Sequence, residues 1–252
     1  MKRTAPARDP LFAQLLLRHT AKVAYDTTRE VAPATLQMLR GAVADTVADA
    51  PVRFGSTVEP ARREELRRLC WESAKAELLT PRTVMESVRL TRVGPAEIAQ
   101  HRDGISINST LPRLAAMFGA FDREHPPAEG SSAYKQMMGR FEAHCASAMG
   151  FVWLSTDTAA HAAARRMRSA EVAAGRAYVR LQLKATEIGL QVHPMSQAPQ
   201  EFDEMKVHYE RLHQLLLGQP ASQQTVQMFC RVGYCAAQQH TPRRGVDAIM
   251  RA

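Results

Sequence analysis

Apolar positions along this chain recur mostly at helical spacing, interrupted by a few short runs that alternate or are apolar throughout. Residues 1–10 are polar, hold two prolines and are expected to form a flexible N-terminus. A helix is predicted from Leu11 to Arg18. Pro33 then opens an amphipathic helix with Leu36, Leu39, Val43 and Val47 on one face, stopped by Asp49-Ala50-Pro51. Val52-Arg53-Phe54 alternates like a short strand. Glu59 to Leu79 reads as a long charged helix with Leu66, Leu69, Cys70 and Ala74 inward and Glu64 placed four residues before Arg68. Pro81 breaks it, and a further helix is predicted to reach about Val93, before Gly94-Pro95.

The stretch from Arg102 to Gly130 is the least regular, with Asp103-Gly104, Pro112, Gly119 and Pro126-Pro127 punctuating one short helix at Leu111–Phe118. Tyr134, Met137, Met138, Phe141, Cys145 and Ala148 define another helix, ended by Gly150. Phe151-Val152-Trp153-Leu154 is apolar throughout, as a strand inside a sheet should be. The strongest pattern runs from Ala170 to Ile188. There Ala174, Ala177, Tyr178, Leu181, Ala185 and Ile188 face one way and Arg176, Arg180, Lys184 and Glu187 the other, with Gly189 as cap. Leu190-Gln191-Val192 leads into His193-Pro194-Met195-Ser196, Phe202–Leu217 is predicted helical, and Val226–Tyr234 is the last strand. Seven or eight helices against three or four short strands make an α+β fold, helices packed around a small mixed or antiparallel sheet.

At about 150 residues per domain, 252 residues make one large domain or two small ones. No internal repeat or rich linker cuts the chain, so residues 11–252 are read as a single domain. The 45% hydrophobic and 23% charged fractions are those of a globular protein, and 12 Met against 2 Trp suggest an adaptable core. No apolar run approaches the roughly 20 residues of a membrane span. Gln14 interrupts the only N-terminal apolar stretch and no cleavage site follows, so a cytoplasmic, mature protein is expected. Cys70, Cys145, Cys230 and Cys235 form no CxxC pair; Cys230 and Cys235 are placed on one strand with opposite faces, and all four are read as free thiols. No metal is expected, since the nine histidines fall at no ligand spacing.

The net charge of +8, mostly arginine, attracts polyanions. Most of it is spread along helices, as in Arg62, Arg63, Arg67 and Arg68 and again in Arg165, Arg166 and Arg168, which reads as solvated helix faces. GxGxxG, Walker, GxSxG and kinase signatures are absent, and no carboxylate pair stands out. Chemistry carried by a cofactor fits this better than chemistry carried by side chains.

Three stretches carry a resemblance. They are Arg18-His19-Thr20-Ala21-Lys22, the unit running from Ala174-Gly175-Arg176 through Gly189 to His193-Pro194-Met195-Ser196-Gln197, and Phe229-Cys230-Arg231-Val232-Gly233-Tyr234 followed by Thr241-Pro242-Arg243-Arg244. In this order they resemble the FMN-dependent nitroreductase family. They are most similar to the divergent branch found in actinobacterial dormancy proteins, to one of whose loops Arg102-Asp103-Gly104-Ile105 is also similar. The resemblance implies a nitroreductase-like fold and a homodimer with flavin at the subunit interface. It also implies electrons passing from NAD(P)H to a nitroaromatic or quinone-like acceptor. Arg18, Thr20, Lys22, Arg243 and Arg244 are then expected around the FMN phosphate, a dianion suited to guanidinium and hydroxyl donors. Pro194, Met195 and Ser196 are expected where the backbone passes the flavin ring. Either the Leu36–Val47 or the Ala170–Ile188 helix is expected to pack across the dimer.

The chain also departs from the family. Its block of the type Ala-Pro-Ser-x-x-Asn-x-Gln-Pro-Trp is replaced by Gly41-Ala42-Val43-Ala44-Asp45 inside a helix, and position 19 is His where Arg is common; in the divergent branch the block sits in a leading segment, after which this sequence is expected to begin. An alternative expectation is therefore a degenerate member of the fold that lacks flavin or holds it without turnover. A basic nucleic-acid-binding helical protein is a third reading, resting on charge alone.

Overall fold

The computed structural model describes residues 8–44, 52–117, 121–157, 164–221 and 223–250. Expectations placed on residues 1–7, on Val47 and the Asp49-Ala50-Pro51 stop, and on Phe118-Gly119 lie outside them, as do the side chains of Arg165, Arg166 and Arg168. The chain forms two compact units, residues 1–74 with 140–236 and residues 75–139 with 237–252.

The first unit is built on a four-stranded sheet of β1 (Val52–Thr57), β4 (Gly150–Asp157), β6 (Gln224–Gly233) and β5 (Gln191–Pro194), in that spatial order and antiparallel throughout. The apolar runs at 151–154 and 226–232 thus become the two inner strands. Successive side chains alternate between faces. Val152, Leu154, Cys230 and Val232 lie under α1 (Pro33–Ala44) and α7 (Ala164–Glu187), meeting Leu36, Leu39, Ala177 and Leu181. Phe151, Val226 and Phe229 face the other layer, made by α2 (Pro60–Leu79), the end of α6 (Ser132–Ala146) and α8 (Lys206–Leu217). Val226 and Phe229 share a face although three residues apart. A bulge opposite Leu154/Ser155 leaves Gln227 without a register partner and reverses the alternation. Phe151 and Phe229 stack at 5.2 Å, and each fully buried side chain of this size contributes about 1.5–3 kcal/mol. Gly189, at φ +70°, closes α7 as predicted.

The second unit carries α3 (Pro81–Arg89), β2 (Thr91–Val93), α4 (Gly94–His101), β3 (Ile105–Ile107), α5 (Thr110–Met117) and α9 (Val246–Met250). β2 and β3 pair in parallel, Thr91 with Ile105 and Val93 with Ile107.

Several predicted elements are corrected. In place of a helix over Leu11–Arg18 there is a 3-10 helix, Pro10–Gln14, capped by the Asp9 carboxylate on the Leu11 N–H at 2.9 Å. Leu15, Leu16 and Leu17 are exposed, so no one-sided stripe exists to hold further turns. Asp9 also pairs with Arg180, which ties down that end of the segment expected to be flexible. The helix predicted to reach Val93 stops at Arg89, because Thr91 and Val93 are buried at strand spacing. Gly94-Pro95 starts a helix that was not predicted, Pro occupying the first turn where no N–H is needed. Gly150 begins β4 and does not merely end a helix. Cys235 lies beyond β6, so the two-face reading of Cys230 and Cys235 fails; all four thiols are free as expected.

Candidate functional site

Residues 18–26 follow the 3-10 helix as irregular backbone, and interior side chains of the first unit hold them. His144 Nε2 meets the Lys22 carbonyl at 2.9 Å, and Arg231 Nη2 donates to the Val23 carbonyl at 2.6 Å. The Tyr25 N–H donates to Ser147 Oγ at 2.9 Å, and the Asp26 N–H to the Tyr234 carbonyl at 2.7 Å. Tyr25 lies flat where a Cβ on Gly233 would sit 2.5 Å from its ring, so glycine there permits the loop to dock on β6. The Lys22 carbonyl that ends the Arg18-to-Lys22 segment is thereby anchored, and the backbone just after it is held at Val23, Tyr25 and Asp26.

Arg231 is the centre of this arrangement. It is 0% exposed and opposes His193 in the β5–β6 register. Its Nε donates to His193 Nδ1 at 3.0 Å, and its Nη1 to the His144 carbonyl at 2.8 Å and Ser147 Oγ at 3.2 Å. Its guanidinium lies 3.9 Å from the Tyr25 ring centroid. All these acceptors are neutral. The last turn of α6 offsets part of the charge with its carbonyl ends. Burial lowers the Arg231 pKa, yet a guanidinium stays protonated in any protein environment.

The acceptance of that N–H by Nδ1 assigns His193 as the neutral Nε2–H tautomer. Burial first, then Arg231, depress His193 to about 2, and the same two causes depress His144 to about 4. The two rings meet edge to face at 5.4 Å. The Tyr25 hydroxyl is buried with no hydrogen-bond partner among the described residues, and burial raises its pKa strongly.

The sequence-selected residues fall into two constellations. In the first unit Arg18 and Thr20 are half-buried. Lys22 is exposed as a residue, yet desolvation, and after it the charge of Arg140, lowers its pKa. Burial raises the Tyr178 phenol, and Arg18 offsets part of that rise. Pro194 ends β5 half-buried, and Ser196 is exposed. Met195 has its side chain in the core with Leu212 and Phe229, and its N–H on the Phe229 carbonyl at 2.8 Å. In the second unit Arg243 donates to Thr241 Oγ1 at 3.1 Å, and Arg244 pairs with Asp103, which also takes Arg92 Nε at 2.9 Å. Hydrogen bonds from Arg92 and Arg244 hold the Asp103 pKa below its usual range. The Arg102–Gly104 loop and the Thr241–Arg244 tail line one shallow cleft. Sequence reasoning missed His144, Ser147 and Arg140, and did not single out the charge of Arg231.

No protein-family model and no curated protein matches the chain by sequence. Solved structures do match in fold. A variant of an FMN- and NADPH-dependent nitroreductase from a Sphigopyxis strain superposes with a TM-score of 0.54 at 15% identity, over 96% of this chain and 97% of its own. A nitroreductase-like family protein from Bacillus cereus gives 0.52 at 12% identity over 98% and 97%. A nitroreductase with bound FMN from Bacteroides fragilis gives 0.50 at 15% over 95% and 97%. The fold of this chain is nitroreductase-like, as the ordered motifs predicted.

Proposed function

We propose that this chain is an FMN-binding, nitroreductase-like oxidoreductase that passes electrons from a nicotinamide to a nitroaromatic or quinone-like acceptor. The observation that carries the reading is the Arg18-Thr20-Lys22 segment. Two cations and a hydroxyl lie on a segment whose last carbonyl meets His144 and whose continuation at Val23 and Tyr25 is held by Arg231 and Ser147. Such a donor set fits a phosphate dianion. Arg243 is exposed and engages only the neutral Thr241 hydroxyl among the described residues, while Arg244 shares Asp103 with Arg92. On the motif resemblance Arg243 and Arg244 are read as FMN-binding residues too.

When bound, FMN supplies the ring that takes up hydride and passes electrons on. The residues of this chain bind and orient. Arg18, Thr20 and Lys22 hold the phosphate, Arg231 fixes the loop that carries them, and the backbone at Pro194 and Ser196 borders the ring. The Met195 side chain takes no part, being packed in the core. Residues 11–252 act as one domain in this reading. A second copy of the chain completes the site, with exposed Met38, Val172 and Val179 on α1 and α7 offering apolar contacts. The motif order supports a place near the dormancy-associated branch, and the interrupted apolar stretch at Gln14 supports a cytoplasmic setting. No described helix is long and apolar enough to cross a membrane.

One observation favours a holding role without turnover. Ala42 and Val43, where the family's asparagine block is expected, are buried inside α1 against α7. Arg243→Ala combined with Arg244→Ala tests the phosphate assignment. FMN retention through gel filtration is expected to fall while the melting temperature of the apoprotein holds. Unchanged flavin content in the double variant removes those two residues from the site.

A further inference from the structure

The second cationic layer around Arg231 carries one more residue toward the same ligand chemistry. Arg140 stands four residues before His144 on α6, one helical turn away on the same face. His144 holds the Lys22 carbonyl at 2.9 Å, so the start of that face lies alongside Lys22. Neither the Lys22 ammonium nor the Arg140 guanidinium has an ion pair or side-chain hydrogen bond among the described residues. Several other cations of their unit do find carboxylates. Arg53 takes Asp157, Arg62 takes Glu65, Arg67 takes Glu64, Arg180 takes Asp9, Lys184 takes Glu187 and Arg211 takes Glu72.

The surroundings deepen the imbalance. Arg231 spends its hydrogen bonds on neutral acceptors, so its charge is uncompensated by any carboxylate. The charges felt by His144 and His193 are Arg231, Arg140 and Lys22, all of one sign. Glu142, on the same helix, acts instead on Cys145. Like charges held together this way repel, and a bound anion converts that repulsion into attraction.

We propose that Arg140 and Lys22, backed by buried Arg231, form a seat for a phosphate monoester. The inference rests on the flavin reading for its natural occupant, FMN, but the seat recognises the phosphate group whatever molecule bears it. The test compares wild type, Arg140→Ala and Arg140→Lys in three titrations, with FMN, with riboflavin and with inorganic pyrophosphate. Wild type is expected to prefer FMN to riboflavin and to melt higher with pyrophosphate. Arg140→Ala is expected to lose about tenfold in FMN affinity, the scale of one charge-assisted contact, with riboflavin binding unchanged and the pyrophosphate response gone. Arg140→Lys is expected to recover part of both. The apoprotein of Arg140→Ala should melt no lower than wild type, since no described partner is lost.

Wild-type FMN preference and wild-type pyrophosphate response in Arg140→Ala overturn the seat. If wild type binds neither flavin yet pyrophosphate stabilises it and Arg140→Ala abolishes the effect, the seat stands and the flavin reading falls.

Discussion

Arg231→Leu is expected to destabilise the protein by about 3–5 kcal/mol, because it strips several buried acceptors of their donor at once. Leucine nearly fills the volume but leaves the carbonyls of Val23 and His144, the Nδ1 of His193 and part of the Ser147 bonding without a donor. Each buried acceptor so orphaned costs about 1–3 kcal/mol. The melting temperature is expected to fall by about 10 °C, at roughly 2–4 °C per kcal/mol for a domain of this size. Hydrogen exchange should rise first in residues 18–26, because Arg231 and its neighbours are what hold that loop to the sheet. Arg231→Lys should rescue only partly, since an ammonium cannot span four acceptors arranged around a planar fork. A leucine variant that melts within about 2 °C of wild type would show that the guanidinium does not organise this region.

Acid should weaken the fold well before its carboxylates titrate. His144 and His193 are held at about 4 and about 2 in the folded protein, against an ordinary 6.5. Above pH 7 both are neutral folded or unfolded, and their contribution does not vary. Below 6.5 the unfolded chain takes up protons that the folded protein refuses, so stability falls as pH falls. Each histidine contributes a slope of about 1.4 kcal/mol per pH unit, both acting down to about pH 4 and His193 alone below it. The carboxylates whose pKa is lowered in the fold, Asp9, Asp26, Glu59, Asp103 and Asp122, act only below their ordinary 3.8 to 4.5. The interval from 6.5 to 4.5 therefore isolates the imidazoles. Urea midpoints should drop across it, and the drop should shrink without vanishing in His193→Gln, because burial lowers His144, His208 and His213 as well. A flat midpoint from pH 7.5 to 4.5 would contradict the neutral, buried assignment of the pair.

Much of the scaffold could be read in advance because its signals were local. The apolar face of Ala177, Leu181 and Ala185 needed only helical spacing, and Phe151 to Leu154 could only be an inner strand. α4 escaped notice because Gly94-Pro95 reads as a stop, although proline in a first turn is equally a start. β2 and β3 are three residues each, too short for periodicity, and exist because they pair with one another.

The organising part of the site was half visible. An arginine inside the apolar run Phe229-Cys230-Arg231-Val232 is an alarm in sequence, since a charge on an inner strand must find partners. Which partners it finds was not readable. His144, Ser147 and Val23 lie 87, 84 and 208 residues away along the chain. Only the packing of α6 and of the N-terminal loop on one face of the sheet brings them together. The same holds for Asp103 and Arg244, separated by 141 residues and joined in one ion pair.

Flavin retention is the most direct test of the central claim. The purified protein is equilibrated with FMN, freed of unbound ligand by gel filtration, and its visible absorption spectrum is recorded beside its melting temperature. A persistent flavin band in stoichiometric amount and a higher melting temperature are expected, because a ligand of the folded state must stabilise it. Colourless protein whose melting temperature FMN leaves unmoved would contradict it.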